Sequence, residues 1–325
     1  MNTKKQSRNL LEMNMDDVVK NFLFHCRFEK NLSSKTLTAY NTDLKQFLLF
    51  VQQKEIYKLK QISKEILKSY LQDISQLKPK TIKRKVATLK AMFNYIEYEN
   101  DNYINPFRKI KIRLKEPLIL PSVMSLEEVK KILRIMYNEI ENNHFKEKYT
   151  YKAQVRNTAI VEVLFSTGLR VSEVCNLKFE DINLKTGVVK VLGKGNKERI
   201  IQICQSEVLK IIRLYYKLHQ DLIKPGSAFF VNRLAFQIST QSVRLMIKSY
   251  VNKAGLIKHI TPHTFRHTFA TLLLEEDVDI KYIQNMLGHS SISITQIYTH
   301  VNLNKQSKIL TTKHPRRKLQ LVMNG

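Results

Sequence analysis

The clearest β-strand pattern in the chain is the stretch Thr186-Gly-Val-Val-Lys-Val-Leu-Gly-Lys-Gly-Asn-Lys-Glu-Arg-Ile-Ile-Gln-Ile203. Two runs rich in β-branched residues, Val188–Leu192 and Glu198–Ile203, flank a turn that contains two glycines, and this pattern predicts a β-hairpin. Elsewhere apolar residues recur at spacings of three and four, and only 8 glycines and 7 prolines interrupt 325 residues. That composition favours long helices. The sequence therefore predicts a mainly α-helical protein with one small β-hairpin.

The helical pattern stops near residue 106 and resumes about twenty residues later, which predicts two domains. Residues 16–106 contain several amphipathic helices and are assigned to an N-terminal helical domain. Residues 107–123 combine prolines with a basic run and are predicted to form an extended linker, because a proline biases its predecessor away from helix. Ser125 and Glu128 have the spacing of a capping box. This box opens the second domain, residues 124–325.

The charge balance points to a polyanionic partner. The chain carries 55 lysines and arginines against 28 aspartates and glutamates, a formal net charge of +27. Without such a partner this surplus is costly in self-repulsion, so nucleic acid is the first candidate and an anionic membrane the second. No apolar run is long enough for a membrane span, and the first residues lack the apolar core of a signal peptide. A cytoplasmic protein with no membrane partner is expected. The three cysteines lie far apart, which predicts neither disulfides nor a zinc ribbon.

The polar face of one predicted helix, residues 81–96 and the lysine just before it, is unusually basic. A solvated surface and a helix laid against phosphates are both consistent with this face. The basic run of the predicted linker could contact the same polyanion. The candidate DNA-binding residues in these two segments are Lys80, Lys83, Arg84, Arg108, Lys109 and Lys111.

Two cationic residues lie next to glycines. Gly168 is predicted to end one helix in the left-handed conformation, and Arg170 to begin the next. Free backbone N–H groups at a helix start favour a phosphate, and an arginine there adds charge. A local ion pair between Arg170 and Glu173 is the alternative. Lys194 lies between glycines in the hairpin turn, where the backbone can approach a partner closely.

A second group of candidates lies in the last quarter of the chain. His263 and Arg266 share one face of a predicted helix. His263 and His267 have the i, i+4 spacing of a metal-binding pair. However, Thr264 stands where zinc proteases carry a glutamate, so no metal site is predicted.

Tyr298 follows His289 in a segment with helical spacing, where a half-buried tyrosine is the ordinary interpretation. Together with the other candidates it indicates one chemistry, the attack on a phosphodiester without a metal ion. Arginines neutralise nonbridging oxygens, and a tyrosine supplies a phenolate nucleophile once a neighbour takes its proton. Lysine can protonate the leaving oxygen, and histidine can serve as a base or as a hydrogen-bond donor.

The order of these residues resembles the tyrosine recombinase (phage integrase) family, and the surrounding motifs are similar to its Xer-type members. The motifs are Thr-Gly-Leu-Arg170-Val-Ser-Glu173, His263-Thr-Phe-Arg266-His-Thr-Phe-Ala-Thr and Leu-Gly-His289-Ser-Ser-Ile-x-x-Thr-x-x-Tyr298-Thr-His. The resemblance covers residues 125–318 and, more loosely, residues 16–106. It implies a two-domain, C-shaped DNA clamp with an N-terminal SAM-like core-DNA-binding domain and a catalytic domain that ends in a C-terminal tail.

The resemblance also implies roles for the phosphate-binding residues. Arg170 and Arg266 would grip the scissile phosphate, and Glu173 would support the first of these arginines. His289 would donate a hydrogen bond to a phosphate oxygen. No cofactor would be needed, because the covalent intermediate conserves the energy of the phosphodiester bond.

The remaining implied roles concern bond breaking and proton transfer. Tyr298 would form a 3′-phosphotyrosyl link, and His263 would accept the proton of the tyrosine. Lys194 would reach the site from the hairpin and act as the general acid on the 5′-hydroxyl.

The resemblance implies double-stranded DNA core sites as partners. They would be bound by a homo-tetramer, or by a hetero-tetramer with a related recombinase, in association with the nucleoid. Family members dock the C-terminal segment into a neighbouring subunit. Integration, excision and dimer resolution all remain open. Two rivals are a non-catalytic DNA-binding relative, which would have no chemical reason to retain all six positions, and a type IB topoisomerase, which the Xer-like N-terminal helices and tail disfavour.

Two departures from the family pattern stand out. Residues 134–156 form a segment longer than family members usually have, which predicts a longer surface helix or loop. Asn157 stands where an aspartate is common.

Overall fold

The computed structural model describes residues 12–112, 122–193, 197–276, 278–288 and 303–319. The chain divides into two compact units, Met1–Ile119 (unit 1) and Leu120–Gly325 (unit 2), and each unit has its own apolar core. Within the described ranges the sheet structure is a single antiparallel strand pair, and helices dominate the rest. The prediction of a mainly α-helical protein with one hairpin is therefore confirmed. Across these same ranges, every helix is too short or too polar to cross a membrane.

Unit 1 is built from four main helices: α1 (Met15–Phe24), α2 (Ser34–Gln52), α3 (Lys64–Asp73) and α4 (Pro79–Glu99). Ser33 begins α2, because its side chain accepts the backbone N–H of Thr36. The inward face of each helix is mainly apolar, and Phe47 and Phe93 meet edge to face in the core. Burial of one such aromatic side chain contributes about 1.5–3 kcal/mol relative to its exposure to water.

The first residues of the predicted linker belong to unit 1. Pro106–Lys109 forms a short 3-10 helix, because the side chain of Asn105 caps it by accepting the backbone N–H of Phe107. Phe107 is buried, and its ring lies 5.6 Å from that of Phe93. The extended linker predicted from residue 107 is wrong for these residues, since an apolar contact with the core holds them in place. Residues 113–121 lie outside the described part of the chain.

Unit 2 begins with the capping box that the sequence predicts, in which Ser125 and Glu128 bond to each other's backbone N–H groups. Its helices are α5 (Leu126–Glu141), α6 (Tyr149–Thr167), α7 (Val171–Asn176), α8 (Ser206–His219), α9 (Thr240–Lys253), α10 (Pro262–Glu275), α11 (Ile280–Leu287) and α12 (Leu303–Lys313). Helix α6 packs against α5, α8 and α10, and its residues from Val161 to Thr167 are all buried. The long segment 134–156 consists of the end of α5, a loop over residues 142–148 and the start of α6.

The predicted hairpin is confirmed as strands β1 (Val188–Leu192) and β2 (Glu198–Gln202). The strands pair antiparallel, with Val191 opposite Arg199 and Val189 opposite Ile201. Because side chains alternate between the two faces of a strand, Arg199 points to the same face as the buried Ile201.

The C-terminal segment is anchored inside unit 2. Arg316, in a 3-10 helix that follows α12, is 2% exposed and pairs with the fully buried Glu162 of α6 through two contacts of 3.0 Å. Tyr137 Oη donates to the same carboxylate at 2.8 Å. His314 is buried between the rings of Phe165 and Phe269. Residues 314–319 therefore dock into their own chain, and residues 320–325, the end of the segment for which the resemblance implies docking into a neighbouring subunit, lie outside the described residues.

Candidate active site

Gly168 and Arg170 form the turn between α6 and α7 as the sequence predicts. Gly168 has φ +64° and ends α6 in the left-handed conformation. A Cβ atom at this position would lie 2.5 Å from Cδ1 of Phe269, so the close approach of α10 also requires glycine. Arg170 is the N-cap residue of α7, and its side chain is 31% exposed. The turn thus holds an arginine at the start of a helix with part of its guanidinium open to solvent.

Glu173 ties Arg170 to this position. One carboxylate oxygen accepts the backbone N–H of Arg170, and the other accepts its Nη1, both at 2.8 Å. The ion pair considered as an alternative role for Arg170 is therefore present. Burial raises the pKa of the Glu173 carboxyl, but the hydrogen bonds and charge of Arg199, together with the hydrogen bonds of Arg170, outweigh burial and hold the pKa below its ordinary value. Glu173 is a buried carboxylate that stays ionised.

Arg266 of α10 is buried and bonds to two backbone carbonyls. Its Nη1 donates to the carbonyl of Gly168 at 2.8 Å, and its Nη2 donates to that of Leu287 at 2.7 Å. Burial and then the nearby charge of Arg170 lower the pKa of Arg266 to about 10, so the side chain remains protonated at neutral pH. Carbonyls carry no net charge. The positive charge of Arg266 is therefore available to an anion.

The C-terminal end of α11 brings the two predicted phosphate-binding arginines together. Arg170 Nη1 lies 3.5 Å from the Leu287 carbonyl that Arg266 also contacts, and Arg170 Nη2 lies 3.4 Å from the carbonyl of Gly288. Gly288 ends α11 in the left-handed conformation. The free carbonyls at a helix C-terminus carry partial negative charge, which favours cations. They hold Arg170 and Arg266 side by side despite their like charge.

A third arginine, Arg199 of β2, completes this cluster, although the sequence pattern predicts it only as part of the hairpin. Its Nη1 and Nη2 donate to the two carboxylate oxygens of Glu173 at 3.1 and 2.7 Å, and its Nε donates to the carbonyl of Met286 at 2.9 Å. The alternation of side chains along β2 is the sequence signal that could have identified Arg199. An arginine at position 199 shares its strand face with Ile201, and a charge on an apolar face requires a partner.

His263 lies one helical turn before Arg266 and reaches the surface of unit 2. Partial burial, and then the positive charges of Arg266, Arg244 and Arg170, lower the pKa of His263. The imidazole is therefore neutral at pH 7, and a neutral imidazole can accept a proton.

Three predicted catalytic residues, Lys194, His289 and Tyr298, lie outside the described residues. The structure does place the glycines that precede two of them. A Cβ atom added to Gly288 would lie 3.0 Å from Nη1 of Arg199, and one added to Gly193 would lie 3.5 Å from the same atom. The chain thus enters both of these undescribed segments beside the Arg199 guanidinium.

The predicted DNA-binding residues all lie in unit 1. Lys80, Lys83 and Arg84 are on the first two turns of α4. Arg84 forms an ion pair with Asp43 of α2, a buried carboxylate that also accepts the hydroxyl of Thr88 at 3.0 Å. Arg84 is therefore partly neutralised by its own unit.

The remaining candidates follow α4. Arg108 and Lys109 are in the 3-10 helix, and Lys111 comes just after it at an exposed position. Arg108 Nε lies 3.0 Å from a carboxylate oxygen of Glu97.

Two family models match the chain. Residues 123–305 match the phage integrase family, and residues 19–100 match the N-terminal SAM-like domain of phage integrases. Among proteins, a tyrosine recombinase of Agathobacter rectalis is 46% identical over 305 residues, which cover 94% of this chain and 98% of that protein. The tyrosine recombinase XerC of Thermodesulfovibrio yellowstonii is 35% identical over 91% of this chain and 96% of its own length.

Solved structures share the fold. The XerH site-specific recombinase bound to its difH substrate, in a pre-cleavage complex, aligns with a TM-score of 0.66 and 24% identity, and covers 92% of this chain and 83% of that one. A lambda integrase dimer bound to a core site has a TM-score of 0.63 and 18% identity, over 89% of this chain and 100% of that one. On the family models and the relatives, this chain belongs to the phage integrase family and is a Xer-like tyrosine recombinase, an enzyme that cleaves and rejoins DNA at specific sites.

Proposed function

We propose that this enzyme breaks DNA strands by forming a 3′-phosphotyrosyl link at Tyr298, with Arg170 and Arg266 gripping the scissile phosphate. The observation that carries the proposal is the arginine pair at the end of α11. Two guanidiniums are held on one backbone carbonyl, and one of them, Arg266, is buried and bonds to uncharged carbonyls. A site that keeps two cations together in this way is suited to an anion that gains negative charge during the reaction.

Cleavage is a displacement at phosphorus. The phenol oxygen of Tyr298 forms a bond to the phosphorus as the bond to the 5′-oxygen breaks, and His263 takes the phenol proton. Lys194 gives a proton to the departing 5′-oxygen, and His289 donates a hydrogen bond to a nonbridging oxygen. The reverse reaction, with the 5′-hydroxyl of a second strand as nucleophile, rejoins the DNA. The lowered pKa of His263 supports its role as proton acceptor, because the imidazole is neutral at pH 7.

The supporting role of Glu173 follows from its contacts. It fixes Arg170 through both the main chain and the side chain, which sets the direction in which that guanidinium points. A phosphate grip needs such a fixed direction, since a bidentate arginine matches two oxygens of one phosphate only in one orientation.

DNA binding by unit 1 is the second part of the proposal. Lys80, Lys83 and Arg84 on α4, with Arg108, Lys109 and Lys111, would contact the phosphate backbone of a double-stranded core site. Arg84 and Arg108 contribute less than a free arginine would, because each is paired with a carboxylate of its own unit. The assembly would be a tetramer on two sites, of this chain alone or with a related recombinase. A lambda integrase tetramer bound to a Holliday junction, with a TM-score of 0.62 and 18% identity, is one solved example of such an assembly. The enzyme would work in the cytoplasm, on the nucleoid.

The test uses a DNA site that the enzyme itself selects. The wild-type chain is used to enrich bound duplexes from a randomised pool, and the enriched site is rebuilt as a suicide substrate with a nick beside the scissile phosphate. The wild-type chain should accumulate a covalent protein–DNA adduct, and Tyr298→Phe should bind the duplex without forming one. An adduct with Tyr298→Phe would overturn the proposal, and relaxation of plasmids that lack the site would indicate a topoisomerase instead.

The general-acid role of Lys194 has its own readout on the same duplex. Lys194→Ala should cleave the ordinary phosphodiester slowly, and a 5′-bridging phosphorothiolate should restore the rate because its sulfur leaves without a proton. A Lys194→Ala chain that stays slow on the phosphorothiolate would contradict this role.

A further inference from the structure

We propose that Arg199 is a positioning residue for DNA cleavage, which acts through Glu173 to hold Arg170 in its phosphate-binding direction. This inference rests on the proposed function. Arg199 is a distant neighbour in sequence, since 26 positions separate it from Glu173 and 87 from Met286, and it lies on a strand rather than in the motifs that carry the chemistry.

The contacts of Arg199 account for all three nitrogen positions of its guanidinium. Nη1 and Nη2 make a forked pair with the two oxygens of Glu173, and Nε donates to the carbonyl of Met286. Charge-assisted forked pairs are among the strongest and most directional contacts of a side chain. Arg170, in comparison, meets Glu173 through one side-chain nitrogen in the described structure, Nη1. Arg199 therefore sets the plane of the carboxylate to which Arg170 attaches.

The burial of Glu173 makes this support necessary. A carboxylate taken out of water is costly unless it is paired and hydrogen-bonded, and the side chain of Glu173 is only 6% exposed. With Arg199 removed, Arg170 would be the one cationic partner left to Glu173 among the described residues. Glu173 would then either pull Arg170 inward, away from a phosphate, or take up a proton and so lose its ion pair with Arg170. Both changes misdirect the guanidinium of Arg170.

The charge balance of the cluster suits the reaction. The guanidiniums of Arg170, Arg199 and Arg266 together with the carboxylate of Glu173 leave two net positive charges. A phosphodiester carries one negative charge, and its five-coordinate transition state carries two. If Glu173 paired with Arg170 alone, its negative charge would neutralise that arginine. Because the carboxylate is also paired with Arg199, the group formed by Arg170, Glu173 and Arg199 keeps one net positive charge.

Arg199 is a positioning residue rather than a catalytic one, because its Nε and both Nη atoms are turned to Met286 and Glu173. Its side chain is 10% exposed, and Gly288 lies against it so closely that a Cβ atom there would come within 3.2 Å of its Cδ and Cζ atoms. The same packing places Arg199 beneath the end of α11, directly before His289. It thus supports two parts of the phosphate site, the direction of Arg170 and the backbone from which His289 emerges.

The test measures single-turnover cleavage of the selected suicide duplex by Arg199→Ala and Arg199→Lys at a temperature where both chains are folded. We expect Arg199→Ala to lower the cleavage rate constant by about 10²-fold, since misplacement by an ångström can cost that much. Arg199→Lys, which keeps the charge and loses the fork, should recover about a tenth of the wild-type rate constant. Affinity for the duplex should change less than threefold, because Arg199 does not reach the DNA. The rate constant describes only the molecules that are folded and cleave. If Arg199 served folding alone, Arg199→Ala would therefore lower the fraction of DNA that is cleaved and leave the rate constant unchanged.

Arg213→Ala is the matched control. Arg213 also clamps main-chain carbonyls, those of Leu184 and Lys185, but it contacts no predicted catalytic residue through those bonds. Its variant loses the same charge and should cleave at the wild-type rate constant. If Arg199→Ala also cleaves at that rate constant, the inference is wrong, while adduct formation by the wild-type chain leaves the proposed function intact.

Two further measurements fix the route through Glu173. In a Glu173→Gln background, removal of Arg199 should cost less than a tenth of what it costs in the wild-type chain, because the acceptor of its fork is already altered. The 5′-bridging phosphorothiolate should not rescue Arg199→Ala. Full additivity of the two substitutions would overturn the assignment. Rescue by the phosphorothiolate would also overturn it, because it would show that Arg199 acts through Lys194, the general acid.

Discussion

Arg170 and Arg266, which are 96 positions apart, direct their guanidiniums at one acceptor, the main-chain carbonyl of Leu287, at 3.5 and 2.7 Å. The carbonyl belongs to the last turn of α11, where helix carbonyls lack intrahelical partners. At this carbonyl the two cations share one partial negative charge, and the full negative charge beside them, the Glu173 carboxylate, is shared between Arg170 and Arg199. An incoming phosphate supplies the further negative charge that the cluster needs.

The pH dependence of cleavage should report His263. Because the pKa of His263 is lowered, its neutral, proton-accepting form persists to a lower pH than for an ordinary histidine, whose pKa is about 6.5. The acidic limb of the single-turnover rate constant should therefore be centred below pH 6.5. His263→Ala should be slow and should lose this acidic limb. A limb centred above pH 6.5 would contradict the assignment of His263 as the base.

Gly168 should resist substitution more strongly than another left-handed glycine. Gly168→Ala meets both a positive φ and a contact of 2.5 Å with Phe269, whereas Gly226→Ala meets the positive φ with nothing within 4 Å. We expect Gly226→Ala to lower the free energy of unfolding by about 1 kcal/mol. Gly168→Ala should cost about 2–4 kcal/mol, because overpacking adds to the backbone strain. Chemical denaturation of both variants measures the difference, and equal losses would show that α10 can move away.

The buried pair of Glu162 and Arg316 should behave as a coupled unit. Arg316→Met leaves a fully buried carboxylate with Tyr137 as its remaining described donor, and should cost about 3–5 kcal/mol. Glu162→Met with Arg316→Met should cost less than the sum of the two single variants. A double-mutant cycle by denaturant unfolding measures this coupling, and simple additivity would mean that the pair is solvated.

Acid should destabilise the chain through its buried histidines. Burial lowers the pKa of His314 to about 3 and that of His219 to about 4, below the ordinary value of about 6.5 that each has when unfolded. Between these values the unfolded state binds more protons, so stability falls as the pH falls through this window. Each histidine should contribute a loss on the order of 2 kcal/mol between pH 7 and pH 5. His314→Phe, which suits the aromatic surroundings, should flatten its share of the pH dependence. An unchanged slope would place His314 in contact with water.

Salt should weaken DNA binding in proportion to the phosphate contacts of unit 1. Lys80→Ala should weaken binding to all duplexes about equally and reduce the slope of log affinity against log salt by about 1. Lys20→Ala, which removes an exposed lysine of α1 paired with Asp17, serves as the charge-matched control. If the slope of log affinity against log salt were the same for the wild-type chain and Lys80→Ala, Lys80 would not contact the DNA.

The sequence alone predicts much of the local structure and the order of the site. Ser125 and Gly168 mark helix ends correctly, because a cap depends on bonds within three or four residues of itself. The hairpin is predicted for the same reason, since strand alternation and turn glycines are local. The family motifs identify Arg170, Glu173, His263 and Arg266 as candidates, and the structure places Arg170, Glu173 and Arg266 in one bonded cluster.

Long-range packing defeats such predictions at particular residues. Phe107 reads as linker because prolines and charges surround it, yet an aromatic contact with Phe93 draws it into the core of unit 1. The basic face of α4 shows no sign in sequence that Arg84 is neutralised by Asp43, which lies 41 positions earlier.

Local sequence patterns therefore specify the set of elements and the residue types available for attack on a phosphodiester. Tertiary structure alone decided how those residues are held. Arg199 joins Glu173 to the end of α11, and Arg316 closes the tail onto Glu162 across 154 positions. Helical periodicity and helix capping depend on residues that are close together in the sequence. The partner of a buried charge is chosen by which helices and strands pack together, and no local pattern encodes that choice.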